Sequence, residues 1–296
     1  MTREIVLMSI FLFLIFSCQG PSPAKNKQAG VNDKYQNTIV SATTDDSLFF
    51  MKLVEDNSGS VKSLNNFVID IAKSFLETPY VASTLEEEGE EHLVINLRNV
   101  DCTTFVEYAL AASVCIHNNK TTFDDFVNQL TLFRYRNGVI NGYPSRLHYF
   151  SDWMQDNKQK GLIDIISDQI GDTALDVSVH FMSTHPNAYR QLGNEACFEE
   201  INSIEKQIAS YQMKFVSKDN IESVAHRIEN GDIIALVTSI EGLDVSHVGL
   251  AFYQNDRLHF LHASSSEGKV VITDKPLSDY LLPQKRIRGI LVGRLK

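Results

Sequence analysis

Basic residues are the first shortage: 27 Lys and Arg stand against 37 Asp and Glu in 296 residues, a formal charge of −10 at pH 7. Nucleic-acid binding rests on neutralising phosphates with Lys and Arg, and no basic stripe offsets the acidic total, so that partner class is excluded. Cysteine is scarce too. Cys18, Cys102, Cys115 and Cys197 are too few to staple a chain of this length, which excludes a disulfide scaffold. There is no His-Glu-x-x-His segment, no Cys-x-x-Cys pair and no internal repeat. What remains is 43% hydrophobic and 22% charged, the composition of a globular protein with a sizeable core.

The amino terminus stands apart from this body. A single Arg3 precedes a nearly unbroken apolar run from Ile5 to Phe16, which ends at Ser17-Cys18 with no stop-transfer segment after it. The run is shorter than the roughly 20 residues of a spanning helix and reads as an export signal. Its end resembles a lipobox, so residues 1–18 are expected to be a lipoprotein signal with Cys18 as the lipidated residue. Residues 19–44 follow as a flexible tether rich in Pro, Ser, Lys and Gln at its start. Gln19 after that cysteine resembles the pattern retained at the outer membrane, facing the periplasm. There the most abundant polymer is peptidoglycan.

Residues 45–296 read as a single domain. Leu64, Phe67, Val68, Ile71 and Phe75 recur at helical spacing, and the run ends at Thr78-Pro79-Tyr80. Further helices are expected near 123–135, 146–158 and 197–211, with a short strand at Leu93, Ile95 and Leu97. The acidic stretch Glu86 to Glu91 reads as a solvated loop. After Gly231 the period changes, and five short strands follow, near 233–237, 245–252, 258–263, 270–273 and 290–295. Antiparallel neighbours behind a helical half imply an α+β domain.

Asp101 is suited to cap a helix, which places Cys102 in its first turn. Unpaired N–H groups and the macrodipole there favour a thiolate and can receive an oxyanion. The bland alternative is a buried structural thiol, and a partner decides between them. Of nine histidines, His92, His117, His226 and His259 lie among polar residues and are expected to be exposed. His247 alternates with Gly249 and Ala251 on one strand face, a face of small residues suited to close approach by a helix bearing Ala109, Ala112 and Ser113. If the next turn centres on Asn255-Asp256 with an even residue count, Gly249 lies opposite His262. His247 and His262 then share a face as diagonal neighbours about 7–8 Å apart. An odd loop would break that pairing.

Taken together, Pro79-Tyr80, Asp101-Cys102-Thr103-Thr104-Phe105-Val106, Asn230-Gly231-Asp232, Ser246-His247-Val248-Gly249 and Leu261-His262-Ala263 resemble, in order, the NlpC-type cell-wall cysteine amidases, whose fold is papain-like. Asn96 to Glu107 and Ser145 to Trp153 resemble the narrower N-acetylmuramoyl-L-alanine amidase-like branch, common as lipoproteins in Bacteroidetes. The resemblance spans roughly residues 60–295. It implies a nucleophile helix packed on a mainly antiparallel five-stranded sheet, Cys102 as nucleophile, His247 as general base, His262 as the residue that orients it, and Tyr80 beside the oxyanion. It implies cleavage between the lactyl group of N-acetylmuramic acid and L-alanine, with 1,6-anhydro-muropeptides favoured, and no metal or organic cofactor. Asp101 and Thr103 flank the nucleophile as oxyanion or substrate-binding candidates.

Tyr143, Arg146, His148 and Trp153 are candidates for substrate contact. A helix starting near Ser145 would put Arg146, Tyr149 and Trp153 on one face, with His148 beside it, as a saccharide or carboxylate subsite needs. The ordinary reading is core aromatics and an Arg paired with an acid. His185 is a weaker candidate. Other functions stay open: a zinc amidase with Cys102, His247 and His262 as ligands, a γ-D-glutamyl endopeptidase, or an exported muropeptide-binding protein. Cys115 and Cys197 are left open as a disulfide. Cys115 lies about 20 Å along the helix from Cys102 and is no resolving partner.

Overall fold

The computed structural model describes residues 39–60 and 62–296, so the export signal, Cys18 and most of the tether lie outside the described residues. The fold begins earlier than the sequence suggested. Strand β1 (Val40–Ser41) pairs in parallel with β2 (Leu93–Val94), and Thr43 caps the first helix, so the last residues assigned to the tether belong to the body. Five helices build the first half: α1 (Thr44–Asn57), α2 (Leu64–Lys73), α3 (Cys102–His117), α4 (Phe123–Arg134) and α5 (Phe150–Gln159). Thr43, Asp101 and Thr122 each close a capping box, which satisfies first-turn N–H groups and fixes where α1, α3 and α4 start. From Thr104 to Ser113 every residue of α3 is buried, as suits a helix surrounded on all sides.

The second half runs β3 (Ile163–Ile165), α6 (Ser167–Ile170), β4 (Thr173–Leu175), α7 (Phe181–Thr184), α8 (Glu195–Ile208), β5 (Met213–Ser217), α9 (Ile221–Val224), β6 (Ile233–Thr238), β7 (Val245–Gln254), β8 (Arg257–Ser264), β9 (Lys269–Ile272), α10 (Leu277–Leu281) and β10 (Ile287–Leu295). The five expected strands are β6 to β10, and they lie side by side. The sheet is wider than expected, in the order β4-β5-β10-β6-β7-β8-β9 with β3 also on β10, and all its pairings are antiparallel. The three strands that sequence reading passed over are only three to five residues long, too short for alternation to show.

Strands β7 and β8 meet in a two-residue turn. Asn255 and Asp256 both have positive φ, 51° and 59°, as a type I′ turn requires. The ladder runs from Gln254↔Arg257 to Leu250↔Leu261, which sets Gly249 opposite His262 as the even loop demands. Period-2 alternation then divides the sheet between two cores. Val248, Leu250, Leu261 and Ala263 pack with Ala109 and Ala112 of α3, whereas Leu236, Ala251 and Phe260 pack with Leu277 and Leu281 of α10. His247 and His262 share the parity of the second set. This overturns the expectation that the small-residue face of β7 receives α3: the helix packs on the Val248 and Leu250 face. Gly249 has a nearer neighbour, for a Cβ there would stand 2.6 Å from the Phe260 ring and 2.7 Å from the His262 Cβ.

Candidate active site

Cys102 is the first residue of α3 and is half-buried. Asp101 before it accepts from the Thr104 N–H at 2.8 Å, while the Thr104 hydroxyl accepts from the Asp101 N–H at 2.9 Å. One oxygen of the Asp101 carboxylate is therefore engaged in the cap. Because the β7–β8 ladder stops at Leu250, the backbone N–H of Val248 is left to meet the Cys102 sulfur, joined by the side chain and N–H of Thr103. These donors favour the thiolate. Burial, and after it the negative Asp101, outweigh them and push the thiol up to about 11. The expected low-pKa thiolate is thus replaced by a neutral thiol at rest, since the helix-end donors act in a dry setting beside a carboxylate.

His247 precedes Val248 on β7 and pairs with His262 on β8. The Nε2 of His247 and the Nδ1 of His262 are 2.7 Å apart, with the rings nearly perpendicular at 89°. His262 is 2% exposed and stacks on Phe260 at 4.6 Å between ring centroids. Burial lowers His247 to about 4, and burial together with its neighbour lowers His262 to about 3, so both imidazoles are neutral at pH 7. Among the hydrogen bonds of the described residues, none joins the Cys102 sulfur to either ring. The bond to His262 occupies Nε2 of His247, leaving Nδ1 for a reacting partner. Among the described residues, no group of three His, Cys, Asp or Glu side chains is placed to hold a metal ion.

Tyr80 is fixed beside this centre by its N–H to the Gly268 carbonyl at 2.8 Å and by a bridge to Val100. Burial raises its hydroxyl pKa, and the charges of Cys102 and Asp101 raise it further, a measure of their closeness. The second cluster behaves otherwise. The α5 helix starts at Phe150, not near Ser145, because Arg146 bridges to Tyr135 in extended conformation. Trp153 is wholly buried, stacked on Phe133 and Phe150, and donates to Glu107 at 3.2 Å, so it is core rather than a platform. Arg146 is 6% exposed and held by Glu86 at 3.0 Å and Glu91 at 3.3 Å, the ordinary alternative of an acid-paired Arg. Glu91, its side chain 6% exposed, accepts from Tyr135, so the end of the acidic stretch is anchored rather than solvated.

His148 lies against the Tyr143 ring at 4.4 Å between ring centroids, meets the Tyr143 carbonyl at 2.9 Å, and is pushed down to about 3 by burial and then by Arg146. Tyr143 borders a cavity of about 710 Å³ that is separate from the histidine pair. His185 lies on the surface against Phe181. His259, expected at the surface, is 5% exposed and bonded to the Thr273 carbonyl at 2.8 Å. Cys115 is a buried free thiol near the Asp125 carbonyl, and Cys197 is a separate free thiol, so the two are not bonded to each other.

Two adjacent cavities open beside the histidines. One, of about 430 Å³, is bordered by Ser246, His247, His262 and Ser265. The other, of about 780 Å³, extends from His262 to Lys269 and Lys275, and both share Ser264, Ser266, Tyr280 and Gln284. Sequence reading missed these wall residues. The run Ser264-Ser265-Ser266 directly after His262-Ala263 carried a signal, whereas Tyr280 and Gln284 arrive from α10 and its following turn with none.

The fold places the chain among amidases. An N-acetylmuramoyl-L-alanine amidase from Bacteroides uniformis matches it with a TM-score of 0.76 at 37% identity, covering 79% of this chain and 99% of that one. The sequence matches the N-acetylmuramoyl-L-alanine amidase-like family over residues 70–290, and the chain belongs to that family. A Bacteroides fragilis structure named for a xylanase matches at 42% identity and a TM-score of 0.73, over 76% of this chain and 99% of that one. A Legionella pneumophila protein at 22% identity shares the fold, with a TM-score of 0.65 over 85% of this chain and 94% of its own. No curated protein matches the sequence.

Proposed function

We propose that the protein is a cysteine-dependent amidase, related to the NlpC-type papain-like enzymes, that hydrolyses the N-acetylmuramoyl-L-alanine bond of peptidoglycan fragments, with 1,6-anhydro-muropeptides as its preferred substrates. It works in the periplasm, held to the outer membrane through lipid on Cys18. The bond between His247 and His262, with His247 directly preceding the Val248 whose N–H meets Cys102, is the observation that carries the reading.

The tautomers follow from that bond. For His247 to accept a proton on Nδ1, its own proton must sit on Nε2 and be donated to Nδ1 of His262, whose proton is then on Nε2. Since thiol and imidazole are both neutral at rest, the proton moves from Cys102 to His247 as the sulfur attacks the lactyl carbonyl carbon. The N–H of Cys102, with Tyr80, receives the oxyanion, the Thr103 N–H being turned to the sulfur and the Thr104 N–H engaged by Asp101. As the tetrahedral species collapses the carbon–nitrogen bond breaks, and the imidazolium of His247 gives its proton to the departing L-alanine nitrogen. Water, deprotonated by the same imidazole, then splits the thioester and releases the sugar acid.

The test is mass spectrometry of a 1,6-anhydro-muropeptide incubated with the full-length protein, beside Cys102→Ala. Free stem peptide and anhydro-disaccharide from the wild type alone is the expected result. A cut after D-glutamate would assign the endopeptidase specificity of the wider superfamily. Binding without any cut would make the protein a muropeptide carrier and reject the enzyme reading.

A further inference from the structure

The cavity of about 710 Å³ beside Tyr143 stands apart from the reacting groups: Cys102, His247, His262 and Tyr80 all lie outside its wall. That wall carries an excess of negative charge. Glu87, Glu90, Glu91 and Glu200 stand on it against one guanidinium, that of Arg190, and the imidazole of His92. Arg190 is answered by Glu88 at 2.9 Å, His92 by Glu87 at 2.9 Å, and Glu91 by Arg146 at 3.3 Å. The Glu90 and Glu200 carboxylates have no ion pair among the described residues. Carboxylates alone would make only a solvated rim, but two buried oxygens of the same wall ask for a ligand. Tyr143 is 5% exposed, and its hydroxyl is buried with no hydrogen-bond partner. The Oε1 of Gln191 is likewise buried and unpartnered. Both atoms can accept, and a buried polar atom costs stability until a donor reaches it.

We propose that this cavity is a binding site for an alkylammonium group. An ammonium brings three N–H donors and a positive charge, so it answers the unpaired acceptors and the free carboxylates together. A neutral hydroxyl answers only the acceptors, and an anion answers neither. A compact metal ion is a poorer fit, since among the described residues no three His, Cys, Asp or Glu side chains converge to hold one. The volume lies within the roughly 300–1,000 Å³ typical of small-ligand sites, and Leu85, Val94 and Ile140 give the wall apolar surface for the carbon chain. Cys197 supplies a reporter. It is a half-buried free thiol on the same wall, and its pKa is raised by burial and then by the charges of Glu200 and Glu91, so the sulfur senses those carboxylates.

The experiment follows the labelling of Cys197 in the full-length protein by peptide mass spectrometry, with a cationic aminoethyl and an anionic sulfonatoethyl methanethiosulfonate. Compared with the urea-unfolded chain, the ratio of cationic to anionic labelling rates should rise about tenfold. Cadaverine and acetyl-lysinamide stand for two sources of the group, a free diamine and a diamino-acid side chain in a peptide. At least one should slow the labelling beyond sodium chloride at equal ionic strength, and the better protector names the source. Tyr143→Phe removes a hydroxyl that bonds nothing in the free protein, so the fold stands while protection should weaken about tenfold. Glu90→Gln, at an exposed position, should weaken it about threefold. An unchanged labelling ratio, or no protection by either amine beyond that of the salt, would overturn the site, as would full protection in Tyr143→Phe. None of these outcomes bears on the amidase reading.

Discussion

Two regions of the molecule bury ionisable side chains, and they treat them in opposite ways. Behind α3, Glu107 and Arg134 are 2% and 1% exposed and joined at 2.7 Å, with Trp153 donating to the other carboxylate oxygen. In the second region Cys102 and His247 are half-buried and His262 is buried, on α3, β7 and β8, and none of the three has an ion pair among the described residues. In the first cluster each charged group meets a partner. The second holds its groups neutral, the thiol rising to about 11 and the imidazoles falling to about 4 and 3. Burial that is compensated makes a structural unit. Burial left uncompensated, next to a cavity, leaves groups that change protonation when a substrate arrives, which is the signature of a reacting site.

The sharpest way to break this contrast is to remove one member of each cluster. Cys102→Ala should reduce amidase turnover on the order of 10⁴-fold, measured by product release, while thermal unfolding stays near that of the wild type. Glu107→Ala should do the reverse: loss of about 3–5 kcal/mol in denaturant unfolding, because Arg134 is left charged and unanswered in the core, with the folded fraction still active. If Glu107→Ala instead abolished turnover in protein that remains folded, the division between the clusters would be wrong.

The next effect concerns the orienting residue. His262→Ala leaves the Nε2–H of His247 without its acceptor and frees the ring to rotate, so kcat should fall about 10²-fold with KM little changed. His262→Asn restores a side-chain acceptor and should recover part of the loss. A purely structural role would lower stability in both variants and leave the kcat of folded protein alone.

Acid titration gives a smaller but more telling comparison. For His148, His247 and His262 the folded state holds the pKa below its unfolded value, so between about 6.5 and the folded values of about 3–4 the unfolded chain binds more protons. Stability is therefore present above about pH 6.5 and is lost as pH falls toward 4. Activity should follow the folded value of His247, with kcat/KM holding from pH 7 to 5 and falling near 4. An acid limb near 6.5 in a pH–rate profile would show that the imidazole is not held neutral by burial.

Much of this site was legible in the sequence because its pieces are local. Asp101 to Val106 carries its own cap, and the two-residue turn at Asn255-Asp256 fixes parity, so the pairing of His247 with His262 followed from counting. What failed was long-range. Parity alone does not say which sheet face meets α3, since Val248, Leu250 and Phe252 on one side and Gly249 and Ala251 on the other are all compatible with burial. The protonation of Cys102 depends on how dry its surroundings are, a property of the assembled fold. Arg146 and Trp153 looked like a binding surface because an aromatic–guanidinium spacing is shared by subsites and cores. Their partners, Glu86, Glu91 and Glu107, come from other segments. Tyr280 joins the histidines from beyond β9, where no spacing could announce it.

The smallest predicted effect tests the one local feature on which the histidine geometry depends. Asp256 adopts φ 59° at the second position of the hairpin turn, where Gly meets no steric penalty and Asp does. Asp256→Gly should stabilise the protein by about 0.5 kcal/mol in denaturant unfolding, less than the full left-handed penalty because glycine adds freedom to the unfolded chain. It changes no ladder pair, so Gly249 stays opposite His262 and turnover should be that of the wild type. A fall in kcat together with the gain in stability would mean that the β7–β8 ribbon must flex for His247 to reach Cys102. That outcome would fit the absence, in the resting structure, of a hydrogen bond between them, and would move the site from a preformed pair to one that closes on substrate.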